Sequence, residues 1–311
     1  MNLYDLRKFI DYTFETRSFV PTFDSVISPE ALRVTQAIRG NERPPALFVH
    51  GILSRSGTVY VGELLRLHPE LHAYPFELWE VPFLQLAGDL VKLQEKFFRI
   101  YEQNRGKIAE EDFLPLFGAS MIGYLYTAAT DGQRILLKVP SVRYLNRFPV
   151  MFPHEHLLVL VRDGRDLVES TLRTWPQMNF IQVCLHWNRA ARMVLGANQH
   201  LSNTRPTGYW LARFEDAIAD PAAFVREACA RFELDVERYP FDLISGIPVQ
   251  GSSTLAGRGQ VRWEAVQRPQ DFSPTGYWQK WGPLKKWLFN RIAGHSLVEL
   301  GYGDDGGCGK Q

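Results

Sequence analysis

One segment of this sequence limits the possible folds most strongly: a short apolar run that stops at a glycine-containing loop and is followed by helical spacing. Residues 46–50 read ALFVH, and the run ends at Gly51. Between Thr58 and Leu67 the apolar side chains recur at the spacing of one helix face. Strand, tight loop and helix in this order favour a parallel sheet, because parallel strands need a crossover connection that is usually a helix.

The same alternation is repeated along most of the chain. Further strands are predicted at 71–76, 135–139, 156–161 and 209–213. Further helices are predicted at 83–103, 112–128, 142–150, 163–174, 187–201 and 221–232. Strands that alternate with helices imply a parallel sheet that is covered on both faces. We therefore predict an α/β protein with a P-loop-like three-layer fold, in which a central, mostly parallel sheet is flanked by helices.

The length of 311 residues fits one large α/β domain or two small ones. We predict a helical and irregular arm over residues 1–44, one domain over 45–303 and a disordered, glycine-rich tail over 304–311. The three cysteines lie far apart without CxxC spacing, which favours a reducing compartment. No signal peptide is recognisable, and no run approaches the roughly 20 apolar residues that span a bilayer. We therefore expect a cytoplasmic protein without a membrane span.

The charge balance restricts the partners of this chain. It has 35 Lys and Arg against 34 Asp and Glu, a formal net charge of +1. Nothing in this balance marks a whole-surface affinity for nucleic acid or acidic lipid, so we expect no nucleic-acid partner. Any anion chemistry must come from local clusters. The sequence leaves the oligomeric state open.

The loop after the first strand is the first local cluster. From Gly51 to Thr58 it reads GILSRSGT, which fits the first Gly and the final Thr of G-x-x-x-x-G-K-[ST] but has Ser56 and Gly57 at the Gly and Lys positions. Successive backbone N–H groups at a helix N-terminus still form an anion nest. The missing Lys argues against a nucleoside triphosphate, and Arg55 supplies a cation earlier in the loop. By itself, the loop is also compatible with an ordinary strand–helix turn.

A second cluster follows the most strand-like run of the chain, HLLVLV at 156–161. Arg162 begins the sequence RDGRD, and Ser170 lies eight residues later, about two helical turns. Ligands of parallel α/β sheets bind beyond the carboxyl ends of the strands, so two such loops can hold two phosphates of one ligand. An Arg fork binds phosphate with two hydrogen bonds. The alternative is a solvated ion-pair face made by Arg162, Asp163, Arg165 and Asp166.

Taken together and in this order, these pieces resemble the sulfotransferases that use PAPS, 3′-phosphoadenosine 5′-phosphosulfate. The segments that carry the resemblance are RSGT at 55–58, KVP at 138–140, FP at 152–153, LVRDGRD at 160–166 with Ser170, RFED at 213–216 and LGY at 300–302. The likeness is to bacterial and carbohydrate-type members and runs from about Ala46 to Tyr302, so residues 45–303 would be a sulfotransferase domain. It implies transfer of a sulfuryl group from PAPS to a hydroxyl or amine of a carbohydrate, lipid or other small molecule. No metal is needed, and PAP is released.

The resemblance also implies a donor site. Residues of the first loop and the helix after it would hold the 5′ end of the nucleotide: Arg55, Ser56, Gly57, Thr58, Val59 and Tyr60. Tyr60 falls where many members stack a Trp on adenine. The 3′-phosphate would contact Arg162 and Ser170, while a late segment near the nucleotide would supply Ser252, Ser253, Arg258 and Gly259. Lys138 lies where the family often has a Lys near the transferring sulfuryl group.

Three departures from the family pattern bear on the mechanism. Gly164 stands where Pro is usual, and Phe214 replaces a common Tyr. Pro140 occupies the position where phenol-type members place their catalytic His. Another base is therefore needed. By resemblance to the Glu that ends the second strand in carbohydrate and tyrosyl-protein members, we predict that Glu77 is the general base, with Arg55 and Lys138 stabilising charge.

Several alternatives stay open at this point. Glu77 and Glu80 are also compatible with ordinary surface charges, and His50 or His72 would replace Glu77 as the base if the comparison with carbohydrate-type members fails. A P-loop kinase-like enzyme and a non-catalytic PAP(S)-binding protein are the competing functions. The acceptor loops are expected near 78–130 and 175–190. Three tryptophans are candidates for the acceptor pocket: Trp79, Trp175 and Trp187.

Overall fold

The computed structural model describes residues 21–23, 27–78, 80–109, 112–252, 255, 259–267, 269 and 273–303. Within these residues, five parallel strands form one sheet in the order β2-β3-β1-β4-β5. The strands are β1 (Leu47–Gly51), β2 (Leu71–Ala73), β3 (Arg134–Val139), β4 (His156–Val161) and β5 (Tyr209–Arg213). The predicted α/β class with a parallel central sheet is confirmed.

Ten α-helices accompany the sheet in the described residues. They are α1 (Pro29–Arg39), α2 (Thr58–Leu65), α3 (Ala87–Ile100), α4 (Phe113–Leu125), α5 (Phe148–Met151), α6 (Gly164–Thr174), α7 (Phe180–Thr204), α8 (Phe214–Ala219), α9 (Pro221–Phe232) and α10 (Pro283–Glu299). None of these helices combines the length and the apolarity that a membrane crossing requires.

The two faces of the sheet carry separate apolar cores. On one face, Val61 and Leu64 of α2 and Phe224 of α9 pack against the strands. On the other face, the core is built from α4, α6, α7 and α10. Burial on both faces explains why the strands read as unbroken apolar runs. It also places α2 and α6, the helices that follow β1 and β4, on opposite sides of the sheet.

Some predicted boundaries need correction. The second strand ends at Ala73 rather than at residue 76, because Tyr74, Phe76 and Glu77 have φ angles of 57°, 56° and 60°. This left-handed conformation is incompatible with an extended strand. The helix predicted at 142–150 is limited to a 3₁₀ turn at Leu145–Arg147 and the short α5.

The C-terminal half contains more helix than predicted. Helix α7 begins at Phe180 and not at 187, because Asn179 caps it by accepting a hydrogen bond from the N–H of Ile181 at 2.9 Å. The stretch expected to hold an acceptor loop at 175–190 is therefore largely helical. Helix α10 was not predicted at all, and its apolar residues lie on both exposed and buried faces, with Trp287 exposed and Phe289 buried.

The predicted N-terminal arm contains helix α1, which packs on α4. Arg39, at the end of α1, forms a buried ion pair with Glu155 just ahead of β4, with Nε and Oε1 2.7 Å apart. Residues 1–20 and 24–26 of the arm and the tail at 304–311 lie outside the described residues. The division of the chain at residues 44 and 303 stays a prediction.

Candidate functional site

The candidate site lies at the carboxyl ends of β1 and β4, which are neighbours in the middle of the sheet. The chain leaves β1 toward one face and β4 toward the other, so the loops after these strands diverge and leave a crevice between them. Ligands of open α/β sheets bind at such switch points. The two anion-binding clusters predicted from the sequence, at 51–58 and 162–166, are the loops that border this crevice.

Two glycines allow the first loop to close tightly. A Cβ atom on Gly51 would lie 2.1 Å from the Ser56 hydroxyl oxygen, and one on Gly57 would lie 2.2 Å from the Phe214 ring. Gly57 also has a φ of 94°, a conformation that glycine adopts without strain. Side chains are excluded here, so the backbone itself can approach a bound anion at the start of α2.

Arg55 joins the two loops of the crevice. Its φ of 76° turns the backbone so that its carbonyl oxygen accepts a hydrogen bond of 2.6 Å from Arg162 Nη1. Its side chain reaches α6, where Nε donates to the hydroxyl oxygen of Ser170 at 3.3 Å. Burial, together with the positive charge of Arg162, lowers the pKa of Arg55 to about 10, so the side chain stays a cation at neutral pH.

Arg162 is a buried cation whose hydrogen bonds are incomplete. Its side chain is fixed by two carbonyl oxygens, of Arg55 and of Pro274, the latter 2.5 Å from Nη2, and its Cζ lies 5.1 Å from the centre of the Phe214 ring. The buried Nε has no hydrogen-bond partner in the described part of the chain. Burial lowers the pKa of Arg162, and the charges of Asp166 and Glu215 oppose that effect. A buried guanidinium with a donor left over fits an anionic ligand.

The alternative of a solvated ion-pair face is wrong. All four charged residues from Arg162 to Asp166 are buried. Arg165 pairs with Asp163, with Nη2 and Oδ2 2.7 Å apart, and its Cζ lies 3.7 Å from the centre of the Trp278 ring. Asp163 also caps α6 by accepting the N–H of Arg165. Asp163 and Arg165 are therefore structural, while Arg162 faces the crevice.

The segments RFED and LGY support the loop that follows β4. Glu215 accepts the N–H of Asp163 at 2.9 Å through Oε1 and the hydroxyl of Tyr302 at 2.9 Å through Oε2. Arg213 lies over the ring of Tyr302, with Cζ 4.4 Å from its centre. These contacts fix the loop after β4 by residues that are far away in the sequence. They give a structural role to two segments that carry the family resemblance.

The crevice forms a cleft of about 410 Å³, within the usual range of small-molecule sites. Eight of the predicted donor-site residues line it: Arg55, Gly57, Thr58, Val59, Tyr60, Arg162, Ser170 and Ser252. The structure therefore brings both predicted anion loops and part of the predicted late segment to one cleft.

The other four predicted donor-site residues do not line the cleft or are not described. The Ser56 hydroxyl points into the loop and donates to the carbonyl oxygen of Leu53 at 2.7 Å. Gly259 lies apart from the lining and donates its N–H to the Arg173 carbonyl oxygen at 2.8 Å. Ser253 and Arg258 lie outside the described residues.

Lys138, at the end of β3, lies beside the cleft. Its side chain is 2% exposed, and its Nζ is 5.7 Å from the centre of the Tyr74 ring. Burial lowers the pKa of Lys138 to about 8, while the negative charges of Glu80 and Glu63 oppose that effect. The side chain is therefore mostly a cation at neutral pH, next to Pro140, which does line the cleft.

Two glutamates after β2 have different positions. Glu77 is exposed and is not among the residues that line the cleft. Glu80 is one of the lining residues. Glu80 is exposed as well. Partial desolvation of its carboxyl raises its pKa, and the charge of Lys138 opposes that rise. The assignment of Glu77 as the general base stays a prediction.

The histidine and tryptophan candidates differ in whether they line the cleft. His50 is buried, and its Nδ1 lies 2.7 Å from the Ser141 carbonyl oxygen, so Nδ1 is the donor. His72 is half-buried on β2, outside the cleft lining. Trp175 lines the cleft, whereas Trp187 is fully buried in the core and is not an acceptor-pocket residue. Trp79 lies outside the described residues.

Sequence reasoning missed one wall of the cleft. The stretch 247–250 and Trp263 line the cleft together with residues of the phosphate loop. A short antiparallel bridge between Val249 and Val266 holds this wall. Pro274, whose carbonyl oxygen accepts from Arg162, was missed as well. Only the alternating residues around Val249 hinted at extended structure, and nothing local marked Pro274.

Comparison with known proteins identifies the family to which this geometry belongs. The family model described as "Sulfotransferase family" matches residues 45–238, more than half of the chain. The chain belongs to the sulfotransferase family. The resemblance drawn from the sequence is confirmed at this level, and the matched region contains both loops of the crevice.

Individual sulfotransferases are similar to the chain at low identity. The protein-tyrosine sulfotransferase of Drosophila melanogaster is 23% identical over 195 residues, which span 60% of this chain and 38% of that protein. The sulfotransferase domain of the Synechococcus PCC 7002 olefin synthase is 17% identical, with a TM-score of 0.50 over 84% of this chain and 95% of that one. A sulfotransferase from Alicyclobacillus acidocaldarius is 15% identical, with a TM-score of 0.48 over 82% and 94%.

The sulfotransferase cleft fits a donor with separate anionic groups. The glycine-containing loop offers backbone N–H groups and Arg55. Arg162 and Ser170, both hydrogen-bonded to Arg55, line the same part of the cleft, and the buried Nε of Arg162 has no partner among the described residues. Tyr60, which meets Phe214 edge to face at 6.4 Å between ring centres, supplies an aromatic surface. Among the described residues, no group of three or more His, Cys, Asp or Glu is arranged to hold a metal ion.

Proposed function

We propose that this protein transfers a sulfuryl group from PAPS to a hydroxyl or amine of a carbohydrate, lipid or other small molecule and releases PAP. The observation that carries the proposal is the convergence of two cationic loops on one cleft, with a buried Arg162 Nε that still lacks a partner in the described residues. Such a site suits a nucleotide with anionic groups at its 5′ and 3′ ends.

Different residues of the cleft would bind different parts of PAPS. Arg162 and Ser170 would bind the 3′-phosphate, and the loop N–H groups with Arg55 and Thr58 would bind the 5′ end. Tyr60 would lie against the adenine. When bound, PAPS supplies the activated sulfuryl group. With this division, the 5′ end of the nucleotide would lie toward the end of β3, where Lys138 would be near the sulfuryl group.

The chemistry required of the chain is mainly electrostatic. Arg55 and Lys138 would stabilise negative charge on the sulfuryl and bridging oxygens, and the loop N–H groups would hold the departing phosphate. Preorganised donors of this kind supply most of the rate in comparable transfers of phosphoryl groups. The expectation that the transfer needs no metal stays part of the proposal.

The experiment compares nucleotides that differ at the 3′ position. PAP should raise the melting temperature of the protein more than 5′-AMP or ATP does, in buffer with EDTA, because only PAP reaches Arg162 with a phosphate. Arg162→Ala should remove the difference between PAP and AMP. The measurement is a thermal shift at equal ligand concentrations, followed by titration calorimetry for each nucleotide.

The competing functions predict other results. A kinase-like enzyme would bind ATP in a Mg²⁺-dependent manner and prefer it to PAP. Equal stabilisation by PAP and AMP would contradict the 3′-phosphate site. A non-catalytic PAP(S)-binding protein would pass the binding test but transfer no sulfate. A mass assay for sulfate gain, with PAPS and a pool of defined glycans, phenols, sterols and lipids, separates it from an enzyme.

A further inference from the structure

Tyr74 connects Lys138 to helix α2. The Tyr74 hydroxyl donates to Oε1 of Glu63 at 3.1 Å, and the centre of its ring lies 5.7 Å from Nζ of Lys138. The other carboxylate oxygen of Glu63 pairs with Nε of Arg66 at 2.8 Å. A continuous series of contacts therefore runs from the surface of α2 to Lys138 in β3. Neither Tyr74 nor Glu63 is among the described residues that line the cleft.

A glycine inside α2 makes room for this arrangement. A Cβ atom on Gly62 would lie 3.0 Å from the hydroxyl oxygen of Tyr74 and 3.4 Å from Cδ of Lys138. Glycine in a helix interior lowers stability relative to alanine. Here the missing side chain lets the tyrosine hydroxyl and the lysine stem lie against the helix backbone. Lys138 therefore packs directly on the helix that begins at the phosphate loop.

The backbone of Tyr74 has an unusual conformation. With φ of 57° and ψ of 55°, it lies in the left-handed region, which residues other than glycine rarely adopt. Its N–H donates to the carbonyl oxygen of Leu136 in β3 at 3.4 Å, and its carbonyl oxygen accepts the N–H of Glu77 at 2.8 Å. Such a conformation persists where the surrounding contacts determine it. The turn after β2 therefore holds the ring of Tyr74 at one place between α2 and β3.

The charges around Lys138 favour its protonated form. Burial lowers the pKa of Lys138 to about 8, and the negative charges of Glu80 and Glu63 oppose that effect. The face of an aromatic ring is negative as well and attracts a cation. Arg66 is the positive group beside Glu63, and its side chain is about half exposed, so solvent screens its charge. Tyr74 and Glu63 therefore support an ammonium group at a position that is shielded from water.

We infer that Tyr74 and Glu63 are positioning residues that hold the Lys138 side chain beside the cleft as a cation, an inference that rests on the proposed sulfuryl transfer. Lys138 stabilises negative charge on the transferring group, and Tyr74 and Glu63 act only through Lys138. Their loss should therefore change the rate of transfer and its pH dependence without changing donor binding.

The first test separates turnover from donor binding. Tyr74→Leu removes the ring and the hydroxyl, whereas Tyr74→Phe keeps the ring. Sulfate transfer from PAPS to the pool of glycans, phenols, sterols and lipids is measured by mass, and PAP affinity by calorimetry. Tyr74→Leu should lower the rate at saturating PAPS about 10-fold, with unchanged KM for PAPS and unchanged PAP affinity. Tyr74→Phe should recover most of the rate.

The second test follows the charge of Lys138 without any ligand. The protein is labelled with ¹³C at lysine Cε, and the NMR signal of Lys138 is identified by its absence in Lys138→Met. In the wild type, the titration of this signal should have a midpoint near pH 8. Glu63→Gln should lower the midpoint by roughly half a pH unit, because a negative charge that favours the ammonium is lost. The alkaline limb of the transfer rate should move in the same direction.

The matched control is Glu70→Gln. Like Glu63, Glu70 is partly buried and pairs with an arginine, Arg238, at 3.0 Å. Its loss should leave the titration of Lys138 and the rate of transfer unchanged. Melting temperatures show which variants are folded, and if Tyr74→Leu does not fold, the Glu63→Gln titration decides the question.

The outcomes separate the inference from the proposed function. An unchanged titration of Lys138 in Glu63→Gln, or an equal shift in Glu70→Gln, would overturn the inference. Lost PAP affinity in Tyr74→Leu would also overturn it, because Tyr74 would then belong to the donor site. A wild type that neither binds PAP nor transfers sulfate contradicts the proposed function. A normal wild type with unaffected Tyr74 and Glu63 variants contradicts the inference alone.

Discussion

The two ends of the central strands β1 and β4 each carry a buried arginine cluster, and the clusters differ in how completely their charges are satisfied. At the amino ends, Arg39 pairs with Glu155, and its remaining nitrogens donate to the carbonyl oxygens of Arg43 at 2.9 Å and Pro44 at 2.8 Å. Glu155 also accepts the N–H of Ala46 at 2.5 Å. Every group of this cluster is used by the fold.

At the carboxyl ends, the cations meet carbonyl oxygens and a hydroxyl. Arg162 donates to two carbonyl oxygens and keeps a buried Nε without a partner in the described residues. Arg55 lies close enough for the two positive charges to act on one another. Burial of an arginine therefore does not by itself mark a site. Incomplete satisfaction beside a cleft is the stronger indication, because the missing partner then comes from outside the protein, as a water or a ligand.

The largest expected effect is a difference between the two arginine clusters in how much each contributes to the free energy of unfolding. Arg39→Met should lower the free energy of unfolding by about 3–5 kcal/mol, because it leaves Glu155 buried without its cation. Arg162→Met should cost less, since no carboxylate of the described residues forms a direct ion pair with Arg162, and Asp166 and Glu215, whose charges act on it, keep hydrogen bonds from the N–H groups of Gly276 and Asp163. Chemical denaturation of both variants, without nucleotide, measures the two values. Equal losses would contradict the distinction between a structural and a ligand-binding cluster.

The second effect is on turnover. Arg55→Ala should lower the rate of sulfate transfer on the order of 100-fold, the usual cost of removing one donor to a transition-state charge. PAP affinity should fall less, because the N–H groups of the loop remain. Initial rates with PAPS, together with calorimetry for PAP, give both numbers. Nearly normal turnover in this variant would show that Arg55 has a structural role and no role in catalysis.

The smallest expected effect tests whether His50 is a structural core residue or a catalytic residue. Its folded pKa is lowered to about 4 by burial, below the ordinary value of 6.5. On acidification the unfolded chain therefore takes up a proton before the folded one, and the contribution of His50 to stability is lost as the pH falls below about 6.5. Between pH 7.5 and 5 the wild type should lose about 2 kcal/mol that His50→Asn does not lose.

The control for this prediction is catalytic. The Asn amide can still donate to the Ser141 carbonyl oxygen, so His50→Asn should fold and keep a measurable rate of sulfate transfer. Denaturation curves at pH 7.5 and 5 and one rate measurement at neutral pH are sufficient. If His50→Asn is inactive and the pH dependence of its stability is unchanged, His50 is a catalytic residue. That result would support the alternative in which His50 is the general base.

Much of the fold could be predicted from local patterns. The strands β1, β3, β4 and β5 lie within one residue of their predicted bounds, because each is an apolar run closed by a polar or turn residue. Errors occur where local patterns fail. Left-handed residues end β2 early, and α10 has apolar residues on both exposed and buried faces, so no helical stripe indicated it.

Local sequence was sufficient to specify the parallel α/β class and two cationic loops at one edge of the sheet. Apolar periodicity and glycine position are local properties, and parallel strands bring their carboxyl ends together whatever the details. Which side chains reach the cleft depended on tertiary packing. Arg162 is fixed by Pro274, 112 residues away, and Glu80 is positioned by a bond from Val81 to Lys138. Such contacts arise from how distant segments pack, which no local pattern records.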